Sequence, residues 1–546
     1  MNLFCKAFAL ALLVVSSWTR STSTAQQGQS VTAAVSVSPE DLRAQPVGAN
    51  WTSYNGDYTG RRYSSLREIN LENVSRLRVA WTFHPGNSER LEVTPVVVNG
   101  MMFVTSANDT FALDARSGRM IWRHQRPLSS GLLDDAAAHK NRGVGVWRNL
   151  IYMETDDAHL LCLDARSGNL IWDVAYADKK AHYGATSAPL VVKDEVIVGT
   201  SGGDSGVRGF VAAYEALTGK LKWRFWTIPG PGEFGSASWP GDSYLHGGAT
   251  TWMPGTYDPQ LNTVFWTTSN AAPDFAGESR PGDDLYTACV LALDPDTGKL
   301  KWYFQFTPHD VYDYDANETP VLVDLGEGSA TQHLLVQANR NGFLYVLDRS
   351  DGKFLRAVPF VQHLNWATGV DESGRPHLSG RIPTAQGTSI CPGINGATNW
   401  FSPSYSPDSG LFYVMALESC NVFFSKPKPF ARGETYYGTG TKLQPDEHSQ
   451  KMLLAYSLAT GQTAWRYPQA GRGDSWGGTM TTAGGLLFFA DDAGSLEAVE
   501  ATSGRALWHF NTGQTMYASP MTFMVDGVQY VAIAAGSDIF SFSLPH

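Results

Sequence analysis

The stretch TPHDVYDYDANE, residues 307–318, sets Asp310, Asp313, Asp315 and Glu318 among aromatic residues. Asp313 and Asp315 are two apart, and on an extended backbone side chains at that spacing share a face. Carboxylates so close raise each other's pKa unless a cation or a hydrogen-bond donor stands between them. Two chemistries fit these types: a general base, and an oxygen-ligand site for a hard cation. Taken alone, the pair also fits a solvated turn. A second motif, GTSGG at 199–203, has the form of a hydrolase nucleophile elbow. That elbow needs a helix after it, whereas DSGVRGFVAAY leads into a strand, which argues against a hydrolase.

The elements that must position these residues are repeats. ALDARSGRMIW (112–122), CLDARSGNLIW (162–172), AYEALTGKLKW (213–223), ALDPDTGKLKW (292–302), AYSLATGQTAW (455–465) and AVEATSGRALW (498–508) share one pattern. A degenerate copy, VLDRSDGKFLR, ends at Arg356, and Trp81 in RLRVAWTF resembles the tail of an eighth. Each copy reads as strand, tight turn and strand, with Gly at the position that needs a positive φ. β-Branched runs such as TPVVVNGMMFVTS precede most copies. Spacings of about 40–55 residues fit four short strands per unit, which predicts an all-β fold, a β-propeller whose N- and C-terminal strands share one blade. The Trp residues at 122, 172, 223, 302, 465 and 508 are expected to be structural. Three stretches, roughly 226–247, 363–400 and 424–450, exceed what a blade needs and read as long site-building loops.

Residues 1–25 read as a secretory signal: Lys6, an apolar run over Ala7–Val15, then the small-residue cleavage site Ser23-Thr24-Ala25. No later stretch has eighteen apolar residues in a row, so no membrane span is expected. Residues 26–546 are then one propeller domain in the periplasm. The whole chain carries a net charge of −11, and loss of Lys6 and Arg20 makes the mature chain more negative. That balance argues against nucleic acid and anionic membrane as partners. Cys162 and Cys289 lie in apolar runs and read as buried small hydrophobes. Cys391 and Cys420 lie in loop-like sequence and are the better candidates for a disulfide. There is no C-x-x-C-H haem motif.

The repeated A-x-D-x-x-T-G-x-x-x-W element resembles the tryptophan-docking motif of the quinoprotein alcohol dehydrogenases, over nearly the whole mature chain. The resemblance implies eight blades around pyrroloquinoline quinone (PQQ) and one metal ion. It implies that Glu92 in LEVTPVV and Arg142 in NRGV serve the cofactor, and that Ser201, Gly202 and Gly203 in SGGDSG lie against it. It further implies cofactor contacts from Thr250 and Trp252 in GGATTW, Asn399 and Trp400 in TNW, and Trp476 and Gly477 in SWGG. Asp204 and Asn270 fall at metal-ligand places, Asp313 at the catalytic base, and Arg340 in NRNG at the arginine that bonds the reactive quinone oxygen. The chemistry agrees with these types. A flat tri-carboxylate quinone wants arginine, hydroxyl and aromatic partners, and a hard cation wants oxygen ligands.

Four departures from the family's pattern stand out. Ala136 and Ala137 stand where many members have adjacent cysteines, so no vicinal disulfide ring forms. Asp204 replaces the usual glutamate and is one methylene shorter. Asp274 replaces the Trp of methanol-oxidising members. Asp315 replaces a small neutral residue, and an aspartate there resembles the mark of lanthanide-dependent members. The expectation is that Asp204, Asn270, Asp313 and Asp315 converge on one cation, a lanthanide in preference to Ca²⁺. The substrate is expected to be a small alcohol, with a sugar or polyol as the alternative, and the electron acceptor a separate soluble cytochrome c. A homodimer is left open. The reading of a different class is a non-catalytic propeller scaffold, which has no reason to keep Glu92, Arg142, Asn270, Asp313 and Arg340 together.

Overall fold

In a computed structural model, the structure describes residues 35–545 apart from 89, 134–135, 137–138, 327, 329–330, 445–448 and 472–474. The signal segment and Ala137 therefore lie outside the described residues. Among those described, eight sheets of four antiparallel strands follow one another, and one of them gains a short fifth strand, Tyr63–Ser64, paired in parallel with Thr479–Thr482. The strand Arg78–Phe83 pairs with Asp538–Ser543, so chain start and chain end share a sheet, as the lone Trp81 predicted.

The burial of each strand follows from its place in its sheet. Met101–Ser106 and Asp109–Asp114 are buried throughout, because both their faces meet neighbouring sheets. The outer strand Leu170–Ala175 alternates between exposed and half-buried residues. Between sheets the repeat itself is the fastener. Trp122 donates its indole N–H to the Ala165 carbonyl at 3.0 Å, one sheet on. Its ring lies over the turn at Gly168, where φ is +72° and an added Cβ would stand 2.5 Å from the ring. Trp81, Trp465 and Trp508 make the same bond to Ala115, Ala501 and Leu77, the last across the ring closure. The degenerate copy does the job with a different residue. The Arg356 guanidinium donates to the Leu458 carbonyl beside Gly461, in the manner of the tryptophans.

Two of the long stretches fold together. Thr388–Ile390, Asn421–Ser425 and Thr439–Leu443 form a small three-stranded sheet outside the ring of eight. Cys391 and Cys420 are joined in a disulfide at its edge, while Cys162 and Cys289 are buried thiols. The disulfide braces the loop that follows it, whose Pro392 and Ile394 carbonyls accept bonds from Tyr314 and Arg340, both at 2.5 Å. Among the described residues no helix is long and apolar enough to cross a membrane.

One core residue makes stability pH-dependent. Glu154, fully buried, accepts the Tyr176 hydroxyl at 2.9 Å, and burial pushes its carboxyl up to about 8 from 4.5. A carboxyl whose folded pKa is raised holds its proton longer in the folded chain than in the unfolded one. Stability therefore falls as pH rises from about 4.5 to about 8, and the loss is complete above that. Glu154→Gln still accepts the tyrosine bond and never ionises. Its melting temperature is expected to exceed the wild type's at about pH 9 and to match it at about pH 4. Melting curves that stay parallel across that range would refute this.

Candidate functional site

Each sheet contributes to one cavity through the few residues ahead of its first strand. Arg142 precedes Gly145–Trp147, Trp252 precedes Thr256–Asp258, Asp313 and Asp315 precede Val321–Leu325, and Trp400 precedes Ser404–Ser406. A second set comes from connections after second strands: Ser201 to Asp204, Asn270 and Arg340. Both sets reach the same end of the ring because the connection between second and third strands returns there. Together they line a cavity of about 770 Å³.

One side of the cavity is cationic. Arg142 pairs with Glu92 at 2.5 Å and donates to the Thr186 hydroxyl at 2.7 Å. Glu92 is fully buried and also pairs with Arg90 at 2.8 Å, and the Lys140 ammonium stands 3.9 Å away. The Arg142 guanidinium lies over the rings of Trp400 and Trp252, at 4.5 and 5.0 Å from their centroids. Trp476 tilts against Trp400, and Tyr517 carries Arg90 on its face. The floor is the Ser201 to Asp204 turn. Gly202, with φ +96°, passes so close to the His182 carbonyl that a Cβ would stand 2.4 Å from it. Thr250 Oγ1 bonds Ser269 Oγ at 2.9 Å beside Gly203. Ala136 is fully buried beneath this turn, and its carbonyl accepts from Ser201 Oγ.

The acidic side corrects the extended-strand expectation. The backbone at Asp313 is left-handed, φ +61°, and residues 310–316 form a turn wound round the Asp310 carboxylate. That carboxylate accepts from the backbone N–H of Tyr312 at 3.0 Å and of Tyr314 at 2.9 Å. The two tyrosines stack at 5.2 Å and pack on Trp366. Burying those rings on one side leaves Asp313 and Asp315 to face the cavity on the other. What stands between them is Arg340: its Nη1 donates to Asp315 at 2.9 Å, and its Nη2 lies 3.3 Å from Asp313. Asp315 also accepts from the Asn270 backbone N–H at 2.8 Å.

The expected convergence on a cation is accordingly incomplete. Among the described residues no three His, Cys, Asp or Glu side chains stand close enough to chelate an ion directly. The arginine holds the two aspartates apart and takes up their charge. Burial still pushes the Asp313 carboxyl well above the usual carboxylate range; Arg340 opposes this, and Asp315 and Asp204 add to it. Asp315 is raised by burial and lowered by Arg340.

Of the residues singled out from the sequence, Arg142, Ser201, Gly202, Gly203, Asp204, Thr250 and Trp252 line the cavity, as do Asn270, Asp313, Asp315, Arg340, Asn399, Trp400 and Trp476. Two do not. Glu92 stands behind Arg142, and Gly477 packs against Ala490, where a Cβ would clash at 2.0 Å. Missed were Arg90, Lys140, Thr186, Asn395, Thr515 and Tyr517. Arg90 and Lys140 each lie two residues before a residue that was singled out, and that spacing was a usable signal. Thr515 and Tyr517 carried none.

The arrangement suits a flat polyanion, with aromatic faces, a cationic rim and acidic groups at one edge. Comparison with known proteins gives the same description. The family model for the β-propeller domain of PQQ-dependent glucose, ethanol and alcohol dehydrogenases matches residues 51–362 and 463–531. The quinoprotein alcohol dehydrogenase PedH of Pseudomonas putida is 35% identical over 530 residues, covering 92% of this chain and 88% of that protein. The lanthanide-dependent methanol dehydrogenase of Methylacidiphilum fumariolicum is 34% identical, covering 91% of this chain and 86% of that protein. A solved structure of a europium-containing methanol dehydrogenase superposes with a TM-score of 0.84 at 32% identity, over 92% of this chain and 99% of that one.

Proposed function

Because the chain belongs to the PQQ-dependent quinoprotein alcohol dehydrogenase family, we propose that it oxidises a small alcohol in the periplasm, with Asp313 as base, and passes electrons to a separate soluble cytochrome c. The observation that carries this reading is the Arg340 guanidinium between Asp313 and Asp315 at the edge of a tryptophan-walled cavity.

The residues present fit the cofactor. The Nε of Arg142 and of Arg340 are buried without a hydrogen-bond partner, so each arginine keeps a donor in reserve. Arg142, Arg90 and Lys140 would meet carboxylates, Trp252 and Trp400 the faces of a flat ring, and Thr250 and Ser201 its rim. Asp204, Asn270, Asp313 and Asp315 are oxygen donors suited to a hard cation, with the acid count favouring a lanthanide over Ca²⁺. When bound, PQQ supplies a two-electron acceptor and the cation a Lewis acid.

Within this chain, Asp313 takes the proton of the alcohol hydroxyl. Its side chain is 21% exposed and lines the cavity, where an alcohol hydroxyl can reach it. Arg340 orients it through the ion pair at 3.3 Å. The proposed electron acceptor is a separate soluble cytochrome c. The segment at residues 1–25, read as a secretory signal, supports the periplasmic location.

The test is reconstitution with PQQ and either lanthanum or Ca²⁺, followed by a substrate panel. The expected result is quinone absorbance, dye bleaching by small alcohols, and reduction of cytochrome c faster than of oxygen. Protein that never takes up PQQ, or that reduces oxygen as fast as any cytochrome, would overturn it. Activity confined to sugars would move the substrate to the polyol reading.

A further inference from the structure

Arg340 is not held between Asp313 and Asp315 by their charge alone. Its Nη2 also donates to the Ile394 carbonyl at 2.5 Å, a shorter bond than it makes to either aspartate. That carbonyl is backbone from the 363–400 stretch, so its place helps fix how the planar guanidinium is turned between the two carboxylates. Residues 393–396 form a tight turn, closed by the Gly396 N–H on the Gly393 carbonyl at 2.9 Å. The next residue, Ala397, donates its N–H to the Arg340 carbonyl at 2.8 Å. The turn is pressed on both sides. A Cβ at Gly396 would stand 2.4 Å from Arg340 Cγ, and one at Gly393 would stand 2.1 Å from Asn421 Oδ1.

Asn421 opens the middle strand of the small outer sheet, next to Cys420 of the disulfide, and is 4% exposed. Its Oδ1 accepts from the Ile394 N–H at 2.9 Å, and its Nδ2 donates to the Lys442 carbonyl at 3.2 Å. Ile394 is thus gripped at both ends, its N–H by Asn421 and its carbonyl by Arg340. We propose that Asn421 is a positioning residue for the alcohol oxidation: by holding the Ile394 N–H it fixes the carbonyl that aims Arg340 at Asp313. This rests on the reading of the cavity as a PQQ site. The rival role is structural, a clamp between the outer sheet and the loop. The two bonds of the amide separate these roles, because the Lys442 bond stays within the outer sheet while the Ile394 bond leaves it for the cavity.

Asn421→Asp keeps an oxygen for the Ile394 N–H and gives up the donor to Lys442, whereas Asn421→Ala gives up both. In PQQ- and metal-loaded protein, the alanine variant is expected to lose about tenfold to a hundredfold in kcat with KM for the alcohol little changed. The aspartate variant is expected to recover most of that loss, although both melt lower than the wild type. A second readout needs no turnover: calorimetric PQQ affinity of the apo protein, in a double-mutant cycle with Arg340→Ala. Asn421→Ala is expected to weaken PQQ by about tenfold alone and to add nothing once Arg340 is gone, because it acts through that arginine. Equal losses with and without Arg340, or an aspartate variant no better than alanine, would make Asn421 a structural clamp and overturn the proposal. Wild-type protein that loads PQQ yet oxidises no alcohol overturns the proposed reaction, and the affinity cycle then decides by itself whether Asn421 positions Arg340. Protein that never takes up PQQ overturns both.

Discussion

Asp313→Asn is expected to keep PQQ and, at saturating metal, to lose roughly 10² to 10⁴ in turnover. The substitution is close to a pure removal of basicity. Asp313 sits at φ +61°, a backbone that asparagine adopts more readily than most residues, so the turn round Asp310 should survive. The amide oxygen can still accept from Arg340, which lies 3.3 Å away. The stacked tyrosines and the Asp310 bonds that aim the side chain do not involve its carboxylate. Quinone absorbance reports cofactor retention, and steady-state turnover at saturating metal reports the base. Unchanged turnover in a metal-saturated sample would remove Asp313 from the role.

Asp315→Ser is expected to abolish activation by lanthanum and cerium while leaving a response to Ca²⁺. Asp315 has two measurable jobs. It accepts from Arg340 and from the Asn270 N–H, and it adds a negative charge to the cavity that Asp204, Asn270 and Asp313 also line. Losing the charge should weaken a trivalent ion by about tenfold or more. Losing the acceptor should cost about 1–3 kcal/mol, because two buried donors go unpaired. Asp315→Asn separates the two, since its amide oxygen still accepts while the charge is gone. If the asparagine variant keeps full lanthanum activation, Asp315 serves Arg340 and not the ion. Full activity with Ca²⁺ and none gained from lanthanum in the wild type would have the same meaning.

The site was legible to different depths on its different sides. Arg142, Asp204, Asn270 and Arg340 stand in short motifs whose own residues shape the local turn, so motif and placement came together. Gly477 shows the limit of motif transfer: it lies next to a cavity residue, Trp476, yet its missing side chain makes room for Ala490. Arg356 shows the reverse. Its copy of the repeat lost the tryptophan, yet a planar donor of another type keeps the bond to the next sheet.

By itself the sequence determined the repeating unit, its number and its closure. Alternation along a strand and the positive φ of a turn glycine are dictated by residues a few positions apart, and so is the reach of a tryptophan to the next turn. Only the tertiary structure decided what faces what across the channel. Arg90 meets the ring of Tyr517 because strands from the start and the end of the chain share one sheet. Arg340 enters between Asp313 and Asp315 because the 310–316 turn coils round a buried carboxylate instead of running straight. The backbones of Asp204 and Phe275 are linked because Tyr436 and Tyr437, from a loop of another blade, bond to both. These contacts join residues far apart in the chain, and their geometry depends on the summed rotation of eight packed sheets, which no local pattern carries.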